Sequence, residues 1–146
     1  MATPGLGAVL ARLAKPTHRS LVRLLASVGE AETIVRYPEL IDALVAGGND
    51  PVAAAADLAE LRALIQPAGF RRSMRFRPAD LQALTVPMLL IWGDHDPVGS
   101  VDVAQVVAGL IPNAGLEVLP TGHVPQLGQA ERVAALVSGF VRSSNS

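Results

Sequence analysis

Five consecutive apolar residues, Met88-Leu89-Leu90-Ile91-Trp92, stand between Pro87 and Gly93 and mark a change of period in the chain. A run so short and so uniformly apolar, bounded by a proline and a glycine, reads as a strand buried on both faces of a parallel sheet. On its N-terminal side apolar residues recur at three- and four-residue spacing, the period of helices. On its C-terminal side strand-like and helix-like runs alternate. The expectation is an α/β chain, with helices first and then a strand–helix–strand–helix unit of a parallel sheet.

The N-terminal part reads as consecutive short helices. Leu6 to Leu13 and Ser20 to Val28 have helical spacing, and Gly29 is placed to end the second. Pro38 opens a third helix at a first-turn position, and Gly47-Gly48 closes it. The next helix has Asn49 or Asp50 as its cap, Pro51 at its first position and Pro67 as its stop. Val52, Ala55, Leu58, Leu61 and Ile65 fall along one face of it. From Gly69 to Pro78 the pattern breaks into a basic connector, Arg71-Arg72-Ser73-Met74-Arg75-Phe76-Arg77, followed by a helical turn at Asp80 to Leu84.

Beyond the apolar run, Val101 to Leu110 reads as a helix capped by Ser100, and Leu116-Glu117-Val118-Leu119 as a second strand. Gln129 to Val141 reads as a final helix with Val133, Leu136, Val137, Phe140 and Val141 on its apolar side, leaving Ser143 to Ser146 to fray. The chain is therefore expected to divide into a helical segment with its connector, 1–78, and a sheet-bearing part, 79–146.

Composition narrows what such a chain does. At 146 residues it can bury one core, and with half its residues hydrophobic but only 3% aromatic, that core is built from Ala, Val, Leu and Ile. A net charge of −1 argues against nucleic acid as a partner, since a basic surface is what such binding requires. The arginines of the connector, with Phe76 their sole aromatic neighbour, read as a solvated link. Without cysteine there is no disulfide and no thiolate metal site, which fits a reducing compartment. Arg12 and Lys15 lie at the wrong end of the first residues for a signal peptide, and no apolar run approaches the ~20 residues that cross a bilayer. The expectation is a cytoplasmic protein with no membrane partner and no cofactor.

Two loops carry the chemistry. Gly93-Asp94-His95-Asp96-Pro97 and Thr121-Gly122-His123 each follow a strand-like run, so both fall at the carboxyl ends of strands, where functional groups of open parallel sheets collect. Asp96 and His123 are 27 residues apart in sequence. A carboxylate and an imidazole on adjacent strand ends can form the hydrogen bond that orients a catalytic base. Asp94-His95-Asp96 is not read as a metal site, because three consecutive side chains cannot all converge on one ion and no second cluster supports them. Trp92, at the end of its strand, is expected to pack on the core, and His18 to lie at the surface.

A base of this kind needs a nucleophile, and the 146 residues contain no Gly-x-Ser-x-Gly. Ser20, Ser27 and Ser73 lie in helical or connector segments, Ser100 at a helix start and Ser138 in the last helix. None is on the sharp strand-to-helix turn that a nucleophile occupies.

The order of these features resembles the C-terminal portion of an α/β-hydrolase. Pro87 to Trp92, Gly93 to Asp96, Ile111-Pro112-Asn113-Ala114, Leu116 to Leu119, Gly122-His123 and Phe140 follow one another as in that family, over Val86 to Val141. Residues 1–78 resemble, more loosely, the helical cap that such enzymes insert before their last two strands. The resemblance implies a partial α/β-hydrolase fold with Asp96 as the acid and His123 as the general base. Asp94 fits a variable position and is the weaker candidate. Since the family's chain order is nucleophile, acid, histidine, the resemblance also implies that the nucleophile and the oxyanion-hole amides belong to sequence upstream of these residues. The implied function is that of a truncated hydrolase acting on the ester, amide or acyl bond of a small molecule, with the missing N-terminal half or a second copy as partner. The alternative is a catalytically inert binding or dimerisation module built on the same fold.

Overall fold

The computed structural model describes residues 15–66, 69–70 and 76–144. The helix expected over Leu6 to Leu13, the Pro67 stop, Arg71 to Arg75 of the connector, and Asn145 and Ser146 lie outside the described residues. So do the side chains of Leu58, Leu61 and Ile65. The elements in chain order are α1 (His18–Ser27), α2 (Ala31–Arg36), α3 (Glu39–Asn49), α4 (Pro51–Leu64), β1 (Ile65–Gln66) and β2 (Gly69–Phe70). They continue with α5 (Pro78–Gln82), β3 (Met88–Gly93), α6 (Val101–Leu110), β4 (Ala114–Leu119), α7 (Pro125–Gly128) and α8 (Ala130–Ser144). They form two compact units, one of Met1–Arg23 with Tyr37–Arg75 and one of Leu24–Arg36 with Phe76–Ser146.

The first unit departs from expectation at three places. Gly47-Gly48 does not end α3. The helix runs through both glycines to Asn49, whose side-chain amide donates back to the Val45 carbonyl at 2.7 Å and also reaches the Pro16 carbonyl. Asp50 then turns extended and caps α4, its Oδ1 accepting the Val52 and Ala53 amides at 2.9 Å each. Along α4 the expected apolar face is not buried, for Val52 and Ala55 are exposed. The run Val52 to Ala56 is apolar on every side, so it specifies no direction to bury. Finally Ile65, expected on that helical face, begins β1, which pairs antiparallel with β2 in what was expected to be an irregular connector. Ile41 of α3 is fully buried.

In the second unit β3 and β4 pair in parallel, Met88 against Ala114 through to Gly93 against Leu119. The strand starts are tied by the Met88 amide, which donates to the Asn113 carbonyl at 2.9 Å, and by the Asn113 side chain, which donates to the Thr85 carbonyl at 2.8 Å. This register puts the two strand ends, and hence the two loops, side by side. Helix α6 connects the strands over the expected residues, although the Ser100 hydroxyl makes no capping bond. Leu25, Ala104, Ile111 and Leu119 are the buried apolar residues of this unit among those described. Met88 to Trp92 are half-buried rather than buried on both faces, because among the described residues β3 has one neighbouring strand and leaves its other edge open. Helix α8 continues past Val141 to Ser144, with Arg142 in its last turn, where a cation suits the helix C-terminus. Helices α2 and α7 have no counterpart in the sequence reading. No helix among the described residues is long and apolar enough to cross a membrane.

Candidate active site

Three glycines bring the loops together. Gly29 follows α1 with a φ of +86°, the left-handed conformation expected of a residue that ends a helix. Its backbone lies against that of Gly122: a Cβ on Gly122 would stand 2.5 Å from the Gly29 carbonyl carbon and 2.6 Å from the carbonyl oxygens of Gly29 and Val28. A Cβ on Gly93, at the end of β3, would overlap the carbonyl oxygens of Thr121 and Gly122. Nothing larger than hydrogen fits at this crossing. Hydrogen bonds then hold it: the Asp94 amide donates to the Leu119 carbonyl at 2.9 Å, the His95 amide to Thr121 at 3.1 Å, and the His123 amide to Val28 at 2.9 Å.

On this frame Asp96 and His123 meet. Asp96 Oδ2 lies 2.9 Å from His123 Nδ1, while Asp96 Oδ1 accepts the amides of Val98 at 2.7 Å and Gly99 at 3.2 Å. The Asp96 side chain is 4% exposed and that of His123 46%. Burial pushes the Asp96 carboxyl up, but the bond from His123 and the two backbone amides outweigh it. The carboxyl is thereby held below the usual carboxylate range. An ionised carboxylate only accepts, so His123 Nδ1 carries the proton and the neutral ring presents its lone pair at Nε2. Among the described residues Nε2 has no partner, and the side chain that carries it is about half exposed.

The other residues singled out from the sequence fall elsewhere. Asp94 pairs with its neighbour His95 and stays clear of His123. The hydroxyls of Ser20 and Ser27 bond to the carbonyls of Thr17 and Leu24 within the α1 region, and no serine hydroxyl among the described residues bonds His123. No group of three His, Asp or Glu among the described residues is placed to hold a metal. Trp92 does more than pack. Its indole N–H donates to the Gly99 carbonyl at 2.7 Å and so braces the turn that surrounds Asp96.

Sequence reasoning missed Glu30. The residue is 1% exposed, with Oε1 accepting the Val124 amide at 2.9 Å and Oε2 accepting the Thr33 hydroxyl at 2.7 Å. No local pattern marks it, since its partner in the loop is 94 residues away. A cavity of about 410 Å³ lies behind the crossing, lined in part by Glu30, Thr33, His95 and Gly122, but neither Asp96 nor His123 contributes to it.

No protein-family model matches the chain. Solved structures do resemble it. A 2-hydroxy-6-oxo-6-phenylhexa-2,4-dienoate hydrolase from Rhodococcus sp. strain RHA1 superposes with a TM-score of 0.65 at 23% identity, over 97% of this chain and 51% of that one. The enol-lactonase from Burkholderia xenovorans LB400 gives 0.64 at 20% identity, over 93% and 48%. An N-acyl homoserine lactone degrading enzyme gives 0.57 at 24%, over 94% and 52%. All three are α/β-hydrolase-fold enzymes. The chain thus carries part of the α/β-hydrolase fold and spans about half the length of the structures it matches.

Proposed function

We propose that this chain, carrying part of the α/β-hydrolase fold, supplies the acid and the base of a hydrolytic site whose nucleophile comes from sequence outside these 146 residues. The observation that carries the reading is the 2.9 Å bond between a buried Asp96 carboxylate and His123 Nδ1, with Nε2 unengaged among the described residues. In the assembled enzyme Nε2 takes the proton of the attacking hydroxyl or thiol as its oxygen or sulfur bonds to the substrate carbonyl carbon. The same nitrogen returns that proton to the departing group, leaving an acyl-enzyme. Water then attacks the acyl carbon, giving its proton to Nε2, which passes that proton to the nucleophile's oxygen or sulfur as the bond to the acyl carbon breaks and the acid product departs. Asp96 holds the ring and stabilises the imidazolium formed at each transfer. The substrate class is an ester, lactone, amide or similar acyl compound, in keeping with the two lactone-acting structural neighbours.

The test is hydrolysis of p-nitrophenyl acetate by the purified chain and by its His123→Ala variant. The two are expected to be equal within about twofold, since the base alone has no hydroxyl to activate. A wild-type rate about a hundredfold or more above the variant would fall in the range that general-base catalysis contributes. It would show that the chain holds its own nucleophile.

One observation favours the second reading, a dimerisation or binding module. Among the described residues β3 and β4 each have one unpaired edge, and such edges invite another strand. Under that reading the chain runs as a dimer in size-exclusion chromatography, and His123→Ala changes neither its mass nor any activity.

A further inference from the structure

We propose that Glu30 is a positioning residue for His123, acting through the backbone of the loop that carries the imidazole. Its carboxyl leaves its own helix turn to accept the Val124 amide, while two residues earlier the Val28 carbonyl accepts the amide of His123. Two successive amides of the base loop are therefore held by one short segment, Val28-Gly29-Glu30. The imidazole is consequently fixed at both ends. Asp96 holds Nδ1, and the 28–30 segment holds the main chain from which the ring projects.

The chemistry of the position supports this role over simple packing. A carboxyl on a residue that is 1% exposed is costly unless its oxygens are bonded, and an aliphatic residue would fill the space without that cost. What the carboxyl adds is an acceptor for Val124, whose amide would otherwise be left unpaired in a half-buried loop. The Thr33 hydroxyl fixes the second oxygen and so aims the first. Gly29 and Gly122 allow this by letting the two backbones touch.

The inference rests on the acid–base reading of Asp96 and His123 for its catalytic meaning, but its test reads the geometry of the imidazole and needs no turnover. In chain labelled with 15N, the His123 Nδ1–H resonance and the exchange rates of the 123 and 124 amides are compared among wild type, Glu30→Ala, Glu30→Asp and Glu30→Gln. The Leu90 and Trp92 amides of β3 serve as the measure of intact fold. Glu30→Ala and Glu30→Asp, the latter one methylene short of Val124, are expected to speed exchange of the 124 amide roughly tenfold, the equivalent of one lost hydrogen bond. The same variants should broaden or remove the Nδ1–H signal while leaving the β3 amides protected. Glu30→Gln keeps an acceptor oxygen at the same reach and is expected to restore both. If Glu30→Ala does not fold, Glu30→Asp decides the matter. A folded Glu30→Asp with an unchanged Nδ1–H signal and unchanged 124 exchange overturns the proposal, as does loss of the β3 protection in step with the imidazole signal.

Discussion

Asp96 illustrates how one side chain serves two purposes. One oxygen organises its own turn through Val98 and Gly99, and the other is left for His123. Because these bonds favour the charged form, the carboxyl titrates lower in the folded chain than in the unfolded one, where it sits near ~3.9. The sign follows. Its contribution to stability is fully present above that value and is lost as pH falls through the folded value. Thermal melts between about pH 2 and pH 6 are therefore expected to show a fall in melting temperature below about pH 4 that is shallower in Asp96→Asn. Equal slopes in both would mean the carboxyl is not held low. Trp92 adds a second residue-scale prediction. Trp92→Phe keeps an aromatic side chain but removes the donor to Gly99 and part of the ring, and is expected to cost at least about 1 kcal/mol in urea unfolding.

At the scale of elements, the site is a crossing of three backbone segments rather than a cluster of side chains. Gly122→Ala places a methyl against main-chain atoms that cannot rotate away. It is expected to destabilise the chain by at least about 2 kcal/mol in the same unfolding experiment. Gly139, inside α8 with open space around its Cα, is the control: alanine there is expected to stabilise by up to about 1 kcal/mol. The elements that position the pair were legible in the sequence because their signals are local. An apolar run between Pro87 and Gly93 makes a strand, and Val101 to Leu110 has the helical period that returns the chain in parallel. What was not legible depends on distant partners. Gly29 announces the end of a helix, but not that Gly122 will lie against it. Glu30 looks like any helix-start carboxylate until Val124 arrives from 94 residues away. In α4 the reverse holds, since an alanine-rich run satisfies the helical period without saying which face turns inward.

At the scale of the molecule, the described residues are short of core. Its buried apolar residues among those described are Leu25, Ile41, Ala104, Ile111 and Leu119, while Val86, Val98, Val106 and Val118 are exposed. A two-stranded sheet with open edges fits a chain that spans about half of the structures it resembles. Urea unfolding is accordingly expected to give no more than roughly 5 kcal/mol, the low end for folded domains. A value near 10 kcal/mol would point to a core complete in itself. The proposed role, a base held ready with its acid in place and its nucleophile elsewhere, comes down to which nitrogen of His123 bears the proton. The 15N chemical shifts of His123 in the neutral ring measure it directly. A protonated Nδ1 bonded to Asp96 and an unprotonated Nε2 are expected. A proton found on Nε2, with Nδ1 bare, would mean that His123 cannot accept a proton from any nucleophile at that position.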